Sequence, residues 1–307
     1  MNVESKNVKI NKIMNITVKS ILLLATVLSA SIIILIIWQI ASHGIRPFTN
    51  VYGDNRVDFL KFIRGTSYSQ TNYQIGFIII NTLYVVFLSV LISVPISVLT
   101  ALFIAKIAPK VIGKTLTTVV EVLAAIPSII FGVFGSGYIT VLVKNIADKF
   151  GISTAGGLSV LSSVIVLTMM ILPTITMLSI TAIKSVPSNI EEGSLALGTS
   201  KTQTMFNITL KAAVPGIFAG IILGVGRALG EATAISLVAG NIPSGPSFSL
   251  FDPTRTLTST ILMGFKETEG LDYDIRFSIG LVLITIILLV NFILNYVRKR
   301  ISSKYEN

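Results

Sequence analysis

Six runs of roughly twenty apolar residues dominate this chain, near residues 19–40, 77–105, 117–143, 158–183, 214–240 and 277–297. A run of that length crosses the ~30 Å hydrocarbon core of a bilayer as an α-helix, at ~1.5 Å per residue. Lipid offers no water to satisfy backbone N–H and C=O groups, so only helices and closed barrels cross it. The runs carry scattered Gly, Ser, Thr and Pro, which packed membrane helices tolerate and use, whereas barrel strands are shorter and alternate in hydrophobicity. The sequence therefore predicts an all-α fold, a polytopic bundle of six transmembrane helices. Hydrophobic residues at 52% and charged residues at 12% exclude an ordinary soluble domain.

The first run follows Lys6, Lys9, Lys12 and Lys19 in the manner of a secretory signal. It is longer than the ~7–15 residues of a cleaved apolar segment, and its small-residue triplet at Ser29–Ser31 lies inside the run, so a retained anchor is expected. The net charge of +10 comes from Lys and Arg in short connections, with no basic block interleaved with aromatics. It reads as topology and lipid headgroup contact, and no nucleic-acid partner is expected. The chain has no cysteine and one histidine, His43. Disulfides, thiol nucleophiles and Cys/His metal sites drop out, no cofactor or metal is expected, and His43 is read as a lone surface histidine.

Orientation follows from the basic residues between the runs. With both tails on one side, that side holds fourteen of them, including Lys106, Lys110, Lys114, Lys184, Lys201, Lys211 and Arg298, against nine on the other. Both termini are therefore expected in the cytoplasm, with the chain in the cell membrane. The loop near 241–274 is expected outside.

Between the fourth and fifth runs, "KSVPSNIEEGSLALGTSKTQTMFNITLKAAVPGI" (184–217) exceeds a tight link. Pro187 and Ser188 suit a helix start with Glu191 and Glu192 near its first turn, Gly198 punctuates, and "SKTQTMFNITL" reads as a second short amphipathic helix. The spacing of Glu192, Gly198, Ile208 and Leu210 resembles the EAA loop of permease subunits of ATP-binding-cassette importers, although Gly193 and Ser194 stand where alanines are usual and Lys211 where proline is common. That resemblance implies a coupling helix docking on a separate ATPase. "EVLAAIPSIIFGVFG" (121–135), "MMILPTITMLSITAIKSVPSNIEEGSLALGTSKTQT" (169–204) and "GRALGEATAISLVAGN" (226–241) are similar to the permeases of the phosphate-specific importer, most of all the PstC type, given the long first external loop with "VYGDN". The resemblance spans about residues 76–297. It divides the chain into an N-terminal tail, anchor and external loop (1–75), a permease domain (76–297) and a tail (298–307). It implies a second permease of the PstA type, a cytoplasmic ATPase dimer of the PstB type and an extracytoplasmic phosphate-binding protein of the PstS type. The chain has no GxxxxGK[ST] loop, so it does not hydrolyse ATP by that route.

Arg227 falls near the middle of the fifth run, with Glu231 four residues on. A charge at mid-membrane costs at least ~2.5–3.5 kcal/mol on insertion scales, so it should face the bundle interior or water. Four-residue spacing puts both side chains on one helical face, within reach of each other. The pair either neutralises itself to help insertion or lines a passage. In a passage, the guanidinium fork suits an oxyanion that has left water, and Glu231 tempers its hold. The resemblance points to the same two positions as the substrate path. Glycines at 216, 220 and 224, and at 226 and 230, permit close helix approach, within the chain or to a partner. Thr233 and Ser236 add polar wall or bond their own backbone. Glu121 is read as snorkelling or pairing with Lys114, and Pro127 and Pro173 as kinks. The other readings left open are a permease for a different oxyanion or small solute, and a transporter or channel working alone.

Overall fold

The computed structural model describes residues 2–69 and 71–306. The side chains of residues 1–14 and 302–307, including Lys6, Lys9, Lys12 and Lys304 of the charge count, lie outside the described residues. Helix α1 runs Asn2–Ile45 and is followed by a short helix, α2 (Phe59–Arg64), and a two-stranded antiparallel hairpin, β1 (Tyr68–Ser69) and β2 (Asn72–Tyr73). The helices α3 (Gly76–Leu102), α4 (Lys110–Ala125), α5 (Ser128–Phe134), α6 (Thr140–Lys149) and α7 (Val160–Lys184) come next. After them come α8 (Ser188–Ala196), α9 (Lys201–Thr204), α10 (Leu210–Gly230), α11 (Thr233–Val238), α12 (Leu257–Leu262) and α13 (Gly270–Glu306). Among the described residues six segments are long and apolar enough to cross a membrane: Asn15–Phe48, Gly76–Ile107, Ser128–Lys149, Val160–Lys184, Lys201–Gly230 and Gly270–Ile301. The six-helix bundle expected from the sequence is the fold observed.

Helix directions follow from named contacts. The hydroxyl of Ser89 on α3 donates to Val164 O, that of Thr168 to Ser89 O and that of Ser97 to Leu172 O, so α3 and α7 run parallel. In lipid the apolar effect gives little drive to bring helices together, and hydroxyls of this kind hold them instead. The start of α13 packs with the start of α3 through Phe77, Ile78, Ile275 and Ile279. A Cβ on Gly216 would meet Ala182, one on Gly220 Leu178, and one on Gly224 Ile175. Hence α10 runs antiparallel to α7, α3 and α13. The end of α1 bonds to the beginning of α13, with Ser278 Oγ donating to Gly44 O at 2.7 Å. One face of the bundle therefore carries α8 and the far end of α13, and the opposite face carries α2, the hairpin and α12. We call them the tail face and the loop face.

Two spans differ from the sequence expectation. The third, expected at 117–143, is interrupted: α4 ends at Ala125, Ile126 turns extended at ψ 127°, and α5 begins after Pro127. Proline has no N–H to donate and pushes the preceding residue out of the helical region, so Pro127 ends a helix where a kink was expected. Pro173, by contrast, stays inside the unbroken α7. The fifth span, expected as one helix over 214–240, starts at Lys201 and stops at Gly230. The stretch expected as a second short cytoplasmic helix is the first turns of that span, opened by a Ser200–Gln203 capping box and passing through one wide turn at Met205–Thr209. Glu121 and Lys114 are both exposed on α4 and do not pair.

The glycines at 216, 220 and 224 thus pack internally, and the alternative of a subunit contact falls to Gly226 and Gly230, whose Cβ positions meet nothing within 4 Å. Gly216→Val should lower the thermal unfolding midpoint of the purified protein, at the ~1–3 kcal/mol typical of overpacking, because its Cβ would stand 2.5 Å from that of Ala182. Gly226→Ala, on the same helix, should leave the midpoint unchanged or raise it.

Candidate functional site

The antiparallel register of α10 on α7 sets the depth of Arg227. Its Nη1 donates to Thr174 Oγ1 at 2.9 Å, and Thr174 lies about ten residues, or ~15 Å, along α7 from Lys184 at the tail face. The guanidinium is half-buried and lines a cavity of about 520 Å³ with Thr174, Gly226, Asn291, Asn295 and Arg298. Arg227, expected to face the bundle interior or water, stands half-buried at the wall of this cavity.

Glu231 is elsewhere. The helix ends one residue before it, Glu231 itself is extended at φ −75°, ψ 117°, and Ala232 completes the break before α11. Four-residue spacing therefore does not put the two side chains on one face, and the expected Arg227–Glu231 pair is replaced by separate contacts. The Glu231 carboxylate accepts from the Thr233 hydroxyl and the Ala234 N–H, both at 2.9 Å. Its carbonyl accepts from Thr258 Oγ1 of α12 at 2.6 Å. Thr233 reaches Ser128 Oγ on α5 at 2.9 Å, while the Ser236 hydroxyl donates to the Thr233 carbonyl. Broken backbone at membrane depth survives only when buried in protein or lining a cavity, and here Ala232 lines one. On the loop-face side of the break, Ala232 and Thr258 line a second cavity of about 550 Å³ with Ile261, Phe265, Lys266 and Glu267. Residues 226–232 thus stand between two cavities, one lined from Gly226 and Arg227 back toward the tail face and the other from Ala232 toward the loop face.

The tail-face segment is built around Glu191. It forms an ion pair with Lys106 at 2.5 Å and accepts from Thr209 Oγ1 at 2.9 Å, which ties α8 to the ends of the second and fifth spans. The hydroxyls of Ser194, Thr199 and Thr204 bond one another beneath it. Glu192 is exposed on α8, and Gly198 takes φ 84°, a left-handed turn that disfavours any side chain. Ile208 and Leu210 are half-buried, Leu210 against the core around Ile183, Ala213 and Ile217. Leu197 is 88% exposed, with Ile190 and Leu195 exposed on the same helix region.

His43 is not a lone surface residue. Its Nδ1 lies 2.6 Å from Oδ1 of Asp274, which is 2% exposed, and Tyr52 donates to the other oxygen at 2.8 Å. Burial and the Asp274 carboxylate, which disfavour a phenolate, push the Tyr52 hydroxyl up to about 12. Arg255 lies over the Tyr68 ring at 4.6 Å, and burial lowers its pKa. His43, Tyr52 and Asp274 clasp α1, the loop after it and α13 at the loop face. Sequence reading missed the clasp, Thr174 and the Lys106–Glu191 pair because each joins positions far apart in the chain.

Residues 94–306 match the family of binding-protein-dependent transport system inner membrane components, and the chain belongs to that family. Among its curated relatives, the probable ABC transporter permease protein YqgH of Bacillus subtilis is 35% identical over 274 residues, covering 85% of this chain and 86% of the relative. The phosphate transport system permease protein PstC of Pasteurella multocida is 33% identical over 249 residues, covering 76% and 78%. The resemblance carried by the sequence motifs is thereby borne out. A chain of the bacterial alginate ABC transporter, crystallised with an alginate pentasaccharide-bound periplasmic protein, superposes with a TM-score of 0.60 at 19% identity over 91% of this chain and 94% of its own, a likeness of fold.

The carboxylate of Glu231 substitutes for a missing helical turn. Glu231→Ala should speed hydrogen exchange at the Ala234 amide and cost ~0.5–2 kcal/mol, the range of a lost cap. Glu231→Gln, which keeps an acceptor, should remain near wild type in the same exchange measurement.

Proposed function

We propose that this chain is the PstC-type permease subunit of an ATP-driven importer of inorganic phosphate, with Arg227 as its contact to the ion in transit. The observation that carries the reading is the guanidinium at mid-depth in a cavity whose lining holds no carboxylate. A phosphate that has shed water needs donors and positive potential, and Arg supplies a planar fork for its oxygens. Thr174 holds one Nη and so aims the rest of the group into the cavity. Glu231 acts one step away: it does not neutralise Arg227 but keeps the break at 231–232 formed, and with it the partition between the two cavities. Alternating access then consists of opening one cavity while the other closes around this break.

Both tails lie in the cytoplasm in this reading, and the partners are a PstA-type permease, a PstB-type ATPase dimer and a PstS-type phosphate-binding protein at the loop face. The ATPase docks on α8, where Leu197, Leu195 and Ile190 present apolar surface, with Glu192 beside them. Gly198 fixes the turn that returns the chain to α9, and Ile208 and Leu210 seat the segment on the fifth span. ATP is hydrolysed by the partner and not by this chain. Permeation of another oxyanion is the second reading, since a guanidinium also suits sulfate.

In vesicles holding the whole complex, Arg227→Gln should abolish uptake of labelled phosphate while the complex still assembles, and wild-type complex should not take up sulfate. Phosphate uptake at the wild-type rate in the variant would sink the role of Arg227, and sulfate uptake without phosphate uptake would sink the substrate. Leu197→Asp should weaken copurification of the ATPase at least tenfold, read by quantitative pull-down, with phosphate uptake falling in step.

A further inference from the structure

The cavity that Arg227 closes at mid-depth continues along α10 and α13 toward the tail face. Its α13 wall presents Asn291, Asn295 and Arg298, spaced four and three apart and so on one helical face. Its α10 wall is Ala219, Ile222, Leu223 and Gly226. Because the two helices are antiparallel, Arg298 lies about seven residues of α13, or ~10 Å, beyond Asn291 in the tail-face direction. Among the described residues the lining holds two guanidiniums and two carboxamides and no acid. The Asn295 amide donates to Asn291 O at 2.9 Å, whereas the side chains of Asn291 and Arg298 make no hydrogen bond or ion pair within the described residues. A groove of this size that spends so few of its donors on the protein, and has no carboxylate to satisfy them, is built for an anion with several acceptor oxygens.

We propose that the α10–α13 groove is a second anion site, in which Arg298 and the carboxamides of Asn291 and Asn295 hold a phosphate group on the tail-face side of Arg227. Two sources carry that chemistry: inorganic phosphate leaving Arg227, a source that rests on the function proposed above, and the phosphodiester of an anionic lipid entering the groove from its open side. Two weak sites in series suit conduction, because an ion handed to the second need not be held tightly at the first.

The test uses the whole complex in vesicles of phosphatidylcholine, with or without phosphatidylglycerol, and follows modification of Arg298 by phenylglyoxal by mass spectrometry. Inorganic phosphate, compared with chloride at equal ionic strength, should slow the modification several-fold in phosphatidylcholine alone, and Asn291→Leu should diminish that protection. Slowing by phosphatidylglycerol and not by inorganic phosphate supports the site and assigns it to lipid. Modification indifferent to both overturns it. Phosphate uptake by the unmodified complex is measured in the same vesicles: uptake with protection by neither inorganic phosphate nor phosphatidylglycerol sinks the groove alone, and absence of uptake sinks the proposed function while the lipid arm still judges the groove.

Discussion

A helix that stops inside a membrane must find other partners for the backbone groups it leaves open, and the break at Glu231–Ala232 is where this protein meets that demand. The Glu231 carboxylate takes the Ala234 amide, and Thr258, from a helix far along the chain, supplies a donor to the Glu231 carbonyl. Thr233 and Ser128 extend the same network to α5. An unpaired backbone group in such surroundings costs several kcal/mol, so these contacts are what allow the fifth span to change direction. The two cavities, the orientation of Arg227 away from Glu231 and the packing of α11 against α5 and α7 all follow from that change.

The amino-acid sequence made some of this plain and hid the rest for identifiable reasons. Span number and Arg227 were legible because hydropathy and the expense of a buried charge are local quantities. The break was not, since "GRALGEATAI" contains no proline and its four-residue charge spacing suits a helix; the hydroxyls that stabilise the broken form lie at 128 and 258. Pro127 was visible, but whether a proline bends a helix or ends it depends on the packing around it, and Pro173 in the unbroken α7 is the counterexample within the same chain. In the tail-face segment, Glu191 rather than Glu192 makes the ion pair, because Lys106 reaches it from the end of the second span. His43 looked isolated for the same reason: Asp274 is 231 residues away in sequence.

Charge is handled differently at the two faces. On the loop face, Asp274 is buried among His43, Arg46 and Tyr52 and joins the first and last spans. At mid-depth and beyond, the arginines of the α10–α13 groove have neutral hydroxyl and carboxamide neighbours instead of acids. The first arrangement uses charge to fasten helices; the second keeps positive potential uncommitted.

The glycine contacts between α10 and α7 have a mechanical consequence. With Cβ positions at 216 and 224 already within 3 Å of the opposite helix, that interface has no free volume in which to slide, and the two helices behave as a single stiff bar. The segment carrying α8 joins the ends of this bar. A push delivered there is not absorbed between the helices it connects, and the compliance of the bundle is left to the looser boundary where α10 faces α13.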